Sequence, residues 1–152
     1  MFDQKTELNI VRMGGATLSG TTPANTSLVD MQGYGALTVL LTTGTVTDAG
    51  AAAGFTLKLQ HSDTTAASDF VDCAAAEIIP TSAGATTLSV TADADDDKAI
   101  GTIGYRGNKR YVRAVITGTT LTDAVVVVFG IRGHFSQQSA PVPAVTTPTA
   151  AT

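Results

Sequence analysis

The amino-acid sequence predicts an all-β sandwich, and three observations carry that expectation. Apolar or alternating runs of five to ten residues recur along the chain, separated by clusters of Gly, Thr, Asp and Ser, as in folds built from many short strands. No long stretch repeats its apolar residues with the 3.6-residue period of a helix. The composition is 43% hydrophobic but only 5% aromatic, has no Trp, and includes 15 Gly with abundant Thr and Ala. A core made from such residues consists of small and β-branched side chains, which suit a pleated surface better than a helix. Residues that would clothe an exposed helix are scarce: Glu occurs only at Glu7 and Glu77, and Lys only at Lys5, Lys58, Lys98 and Lys109.

The elements follow in chain order. Residues 7–13 alternate and read as a first strand that Gly14 and Gly15 end, with a polar connection over 16–26. Residues 36–42 are apolar on both sides, which marks a central strand, and a Gly/Ala-rich loop is expected over 43–54. In 55–62, Phe55, Leu57 and Leu59 alternate with Thr56, Lys58 and Gln60, giving one buried and one wet face. Residues 63–72 read as a short helical turn or an irregular excursion with Phe70 anchored inward, and 77–79 as a brief strand stopped by Pro80. After an alternating run over 86–92, Asp93, Asp95, Asp96 and Asp97 form a solvated acidic turn before a strand over 99–105. Arg106-Gly107-Asn108-Lys109 reads as a hairpin-like turn. Residues 110–117 and 124–134 are the strongest strands and are expected to pair as the central hairpin of a sheet.

A chain of 152 residues suits one domain. It is expected over 1–135, with an extended N-terminal segment, and 136–152 form a Pro/Ala/Thr-rich tail. That tail, with Pro141, Pro143 and Pro148, has no core of its own and is expected to lie against a neighbouring subunit. The N-terminus lacks the basic-then-apolar order of a secretory signal, and no apolar run approaches the ~18 residues of a membrane helix. Synthesis and folding in a cytoplasm are therefore expected, with no membrane partner.

Composition argues against most catalytic chemistry. His61 and His134 are the only histidines and Cys73 the only cysteine, so neither a disulfide framework nor a multi-Cys zinc site is available. Cys73 reads as a small half-buried hydrophobe. His61 sits in Gln60-His61-Ser62-Asp63, where a general base would need a nucleophile that the pattern does not supply; a polar strand-end histidine is expected. The acidic turn has oxygen ligands for calcium but lacks the glycine and distal Glu of an EF-hand loop. No cofactor or metal is expected, and the chain is not expected to be an enzyme.

The net charge of −4 speaks against nucleic acid. A local basic cluster nevertheless stands out at Arg106, Lys109, Arg110 and Arg113. On a strand, Lys109, Tyr111 and Arg113 share a face, a charged stripe with an aromatic in it that would suit an acidic protein neighbour. Arg106, Lys109, Arg110, Tyr111 and Arg113, with Pro141, Pro143 and Pro148 of the tail, are the candidate partner-binding residues.

The segment Gly104-Tyr105-Arg106-Gly107-Asn108-Lys109-Arg110-Tyr111-Val112-Arg113-Ala114-Val115-Ile116-Thr117-Gly118 resembles a pattern in small tailed-bacteriophage virion proteins, and Leu57-Lys58-Leu59-Gln60-His61-Ser62-Asp63 resembles their companion strand. The resemblance covers residues 55–132. It implies a head decoration or cement protein with a jelly-roll-like β-sandwich, assembled in the host cytoplasm onto the capsid exterior. Such a protein bridges adjacent major capsid protein subunits, and a dimer or trimer is expected. The long Pro/Ala/Thr tail departs from the family pattern. The competing expectations are a neck, tail or fibre-associated β-protein and a carbohydrate-binding module; the absence of Trp weighs against the latter.

Overall fold

The structure, a computed structural model, describes residues 8–51 and 53–133. Two antiparallel sheets face each other across one core. The strands are β1 (Leu8–Ser19), β2 (Ala24–Asn25), β3 (Val29–Asp30), β4 (Ala36–Asp48), β5 (Phe55–Ser62), β6 (Val71–Asp72), β7 (Ile78–Ile79), β8 (Leu88–Val90), β9 (Ala99–Tyr105), β10 (Tyr111–Thr117) and β11 (Asp123–Gly133). The first sheet runs β1-β11-β4-β9-β7 and the second β2-β10-β5-β6, with β3 also on β10 and β8 also on β5. The short strands share edges: β2 and β3 lie on one side of β10, and β6 and β8 on the far side of β5. Counting each such pair as one interrupted strand and leaving aside β7, the order is 1-8-3-6 over 2-7-4-5.

This is the all-β sandwich that the alternating runs predict, and the pattern within single strands holds closely. In β5, Phe55, Leu57 and Leu59 are buried while Thr56, Lys58 and Gln60 are half-exposed. The central position expected for residues 36–42 is met, since β4 lies between β11 and β9. Phe70, expected to anchor inward, is buried after a short 3-10 turn at Ala67–Asp69, but not in the core cluster. It lies under the Arg113 guanidinium on the outer face of the second sheet, because Arg113 projects outward from β10 and covers its ring. Leu37, Val39 and Leu41 from one sheet meet Phe55, Leu57 and Ile116 from the other in a single hydrophobic cluster.

Pairing departs from the sequence expectation in four places. The glycine pair does not end the first strand: β1 continues to Ser19 through a register shift between Arg12 and Gly14, and the connection predicted over 16–26 gives up residues to β1 and β2. Gly14, at φ +131, supplies the backbone such a bulge needs. Strand β4 extends six residues into the loop predicted after Thr42, to Asp48, because Asp123, Ala124 and Val126 of β11 offer partners there. The segment 106–109 is not a hairpin turn, for β9 and β10 belong to different sheets. For the same reason β10 and β11 do not pair; each strand finds its partners in distant sequence, β10 with β5 and β11 with β1 and β4. Both strands are strongly apolar on their inner faces, and a sandwich buries two such faces best by setting them opposite each other.

The acidic turn is also more than a solvated loop. Asp96 accepts from the Val46 amide, Asp93 Oδ1 from the Ala49 amide at 2.7 Å, and the Asp95 carbonyl from the Thr43 hydroxyl. These bonds pin the end of β4, where the ladder to β9 has finished. Among the described residues no group of three His, Cys, Asp or Glu side chains is placed to hold a metal ion. No helix there is long and apolar enough to cross a membrane.

Two glycines distinguish strain from space. Gly54, at φ +60, enters β5 where a Cβ would stand 1.8 Å from the Val90 carbonyl oxygen, whereas Gly84, at φ +83, has nothing within 4 Å. Gly54→Ala is expected to lose about 3 kcal/mol of stability, from backbone strain and a clash with main chain that cannot move aside, and Gly84→Ala only about 1 kcal/mol. Urea denaturation midpoints of the two variants measure the difference.

Candidate functional site

Of the residues singled out in the sequence, Arg106, Lys109 and Arg110 lie at the corner where the chain leaves β9 and enters β10. Tyr105 closes β9 and is wholly buried. Its hydroxyl reaches back under the turn, accepting from the Lys109 amide at 3.0 Å and meeting His61 Nδ1 at 2.9 Å. A side chain at Gly107 would put its Cβ 2.4 Å from that hydroxyl, so the turn needs glycine because of a close approach. Burial pushes the Tyr105 phenol up to about 12. As the hydroxyl is protonated and accepts from Lys109, its own proton is left for His61 Nδ1. His61 Nε2 then faces Glu77 Oε2 at 3.7 Å. A base, an orienting acid and a hydroxyl stand in line, but His61 and Tyr105 are 5% and 0% exposed, and the line is spent on holding the corner together.

Outside this line each basic residue of the cluster, Arg106, Lys109, Arg110 and Arg113, has an intramolecular partner. Arg106 donates through Nε to the Ala76 carbonyl at 2.8 Å, and its amide to the Glu77 carbonyl. Lys109 Nζ meets Asp63 Oδ2 at 2.5 Å. Arg110 grips Asp30, with Nη2 2.9 Å from Oδ2 and Nε 3.2 Å from Oδ1, and lies over the Tyr111 ring at 5.0 Å. Arg113 donates from Nε and Nη2 to Gln60 Oε1 at 3.0 and 2.8 Å and stacks over Phe70 at 4.3 Å. The Arg110 guanidinium, helped by the Gln32 amide, holds the Asp30 carboxyl below its usual range, and Lys109 does the same for Asp63.

The structure thus divides the cluster. Lys109 and Arg110 border an open cleft of about 390 Å³ completed by Gln32, Tyr34, Asp63 and Asn108. Tyr111 and Arg113, two apart on β10, share the outer face of the second sheet, with Gln60 opposite Arg113 in the ladder. Arg106 leans instead on the 3-10 turn Ala75–Glu77. Pro141, Pro143, Pro148 and His134 lie outside the described residues.

Asp30 and Tyr34 went unseen in the sequence. Asp30 stands 80 residues before Arg110 and reaches it only because β3 pairs Asp30 with Tyr111. Tyr34 is a lone aromatic in a turn, and Arg132 covers one face of its ring at 4.2 Å. Asp63 carried a signal, closing an alternating strand beside a histidine. Cys73 is half-buried against the core as expected, its thiol pushed up to about 12 chiefly by burial, which leaves it a poor nucleophile at neutral pH.

Tyr105→Phe leaves His61 Nδ1 and the Lys109 amide without their partner and is expected to destabilise the fold by about 1–3 kcal/mol, read as a lower denaturation midpoint. The lowered carboxyls of Asp30 and Asp63 imply a stabilisation present above pH ~4 and lost as the pH falls through their folded-state values. The double variant Asp30→Asn and Asp63→Asn should therefore lose less stability than wild type between pH 7 and pH 3. Comparison with protein-family models finds none that matches the chain, and comparison with curated proteins finds no match.

Proposed function

We propose that the chain is a structural protein of a tailed-bacteriophage virion, a head decoration or cement protein that binds the outer surface of the capsid and bridges adjacent major capsid subunits, and that it is not an enzyme. The strand order 1-8-3-6 over 2-7-4-5 carries this reading. That order supports a jelly roll, the double-sheet architecture used by viral capsid and lectin domains. It agrees with what the resemblance of residues 55–132 implies. Fold by itself does not assign function, so the surface supplies the second support.

The cleft beside Lys109 and Arg110 has walls of both signs, built from exposed ion pairs with Asp63 and Asp30. Such a rim suits a polar segment of a protein partner, whose own charges exchange with pairs already in place. The arrangement suits a sugar less well, because the ring of Tyr34 already has one face under Arg132. In the most developed polar line, Glu77, His61 and Tyr105, the histidine and the phenol are buried and engaged with each other, and only Glu77 reaches the surface.

The test is to add purified protein to undecorated capsids and to follow both binding and the temperature of capsid disruption. Saturable binding with a raised disruption temperature is expected. The double variant Lys109→Ala and Arg110→Ala should bind about tenfold more weakly, equivalent to about 1.4 kcal/mol. Wild-type protein that neither binds nor stabilises capsids overturns the cement reading, and preferential binding to isolated necks or tails moves the protein to that part of the virion.

A further inference from the structure

The two outer faces of the sandwich differ in kind. On the second sheet the outward residues include Lys58, Gln60, Asp72, Tyr111 and Arg113, cross-linked by Lys58–Asp72 and Arg113–Gln60 contacts. An antiparallel sheet with one wet face normally looks like this. The first sheet breaks the rule at its centre. Strand β11 buries Ala124, Val126 and Val128 inward, yet points Val125, Val127, Phe129 and Ile131 outward.

The register extends this apolar strip sideways. Ile10 of β1 pairs with Ile131 on one side, and Leu40 of β4 pairs with Phe129 on the other. At the far edge Ile79 packs over Gly104, where a Cβ would meet it at 2.9 Å. Ile10 is 70% exposed, Ile79 46% and Val125 40%. Among the described residues the charge within the strip is Arg12, opposite Phe129 on edge strand β1, where the polar rim of an interface would fall. An apolar face of this extent marks a contact surface.

We infer that the outer face of the β1-β11-β4-β9 sheet is the interface of a two-fold dimer, covered by the same face of a second copy. Area supports the assignment. Four strands at ~4.8 Å spacing and nine residues of β11 at ~3.3 Å rise make a face of about 600 Å². Two of them bury about 1,200 Å², the size at which specific interfaces begin. The face is apolar along β11 and bordered by the hydroxyls of Thr17, Thr38, Thr42 and Thr102, so its partner must be flat, nearly uncharged and apolar at the centre. This chain carries such a face, which a two-fold axis makes self-complementary. The C-terminal residues 134–152 are poor candidates to cover it, with Phe135, Val142 and Val145 as their large apolar side chains among prolines, alanines and threonines. The inference stands whether or not the protein binds capsids.

Sedimentation velocity on the full chain across a dilution series tests it. Wild type is expected at twice the monomer mass. Ile10→Lys and Val125→Lys, at exposed positions the fold tolerates, should each raise the dimer Kd by about tenfold or more, because a charge would be buried without a partner. Lys58→Glu, on the opposite sheet, should leave it unchanged. A measurement on unaltered protein guards against misfolding: the methyl NMR signals of Val127 and Ile131 should become shielded from a soluble paramagnetic agent as concentration rises. A monomeric wild type, a dimer indifferent to both lysines, or methyls equally accessible at all concentrations overturns the inference.

Discussion

Strand β11 is the constraint on which the sandwich depends. It pairs along its length with β1, from Leu8 with Gly133 to Ser19 with Asp123, and on its other edge with β4. The first described strand and the last are thereby neighbours, so the first sheet cannot close until β11 is in place. Its inner residues Ala124, Val126 and Val128 are almost entirely buried. Because β10 must cross to the other sheet before β11 begins, the short connection between them does the work of a corner. Gly118 is held there against the Gly20 carbonyl and Thr122, and Thr122 bonds to the Ala49 carbonyl and the Thr119 amide.

With a core of small residues, cohesion comes from many modest contacts and from polar side chains that finish what the ladders leave open. The acidic turn satisfies the amides of Val46 and Ala49 at the end of β4. The Tyr105 hydroxyl satisfies the Lys109 amide at the β9–β10 corner. Thr26 serves the Ala114 amide where β2 and β3 leave a gap beside β10. Unpaired backbone groups in these places would cost more than any single apolar contact contributes. Side chains that look like functional candidates, carboxylates and a histidine among them, are engaged in holding the fold.

The proposed contacts therefore fall on two surfaces. One is the corner where Lys109 and Arg110 stand in exposed ion pairs beside a cleft; the other is the apolar sheet face that β11 creates by being hydrophobic on both sides. Their chemistry differs enough for two simultaneous roles. Exchangeable charge pairs suit a polar partner met at a rim, and a flat apolar face suits permanent burial.

The sequence by itself determined the β class and the inward faces of strands such as β5. Alternation is a local property, so Phe55, Leu57 and Leu59 declare their inward side without knowledge of any partner. The burial of Phe70 and the half-burial of Cys73 were legible for the same reason, as apolar residues among polar neighbours. Only the tertiary structure decided which strand meets which. The pairing of β11 with β1, the grip of Arg110 on Asp30 and the passage of residues 106–109 between sheets all depend on partners tens of residues distant, and strand periodicity carries no address. The run Val125–Val128 shows the boundary between the two. Its hydrophobicity was plain in the sequence and read as a central strand, but that one of its faces looks outward follows from its place in a two-layer sandwich, where a sheet has a single side to bury.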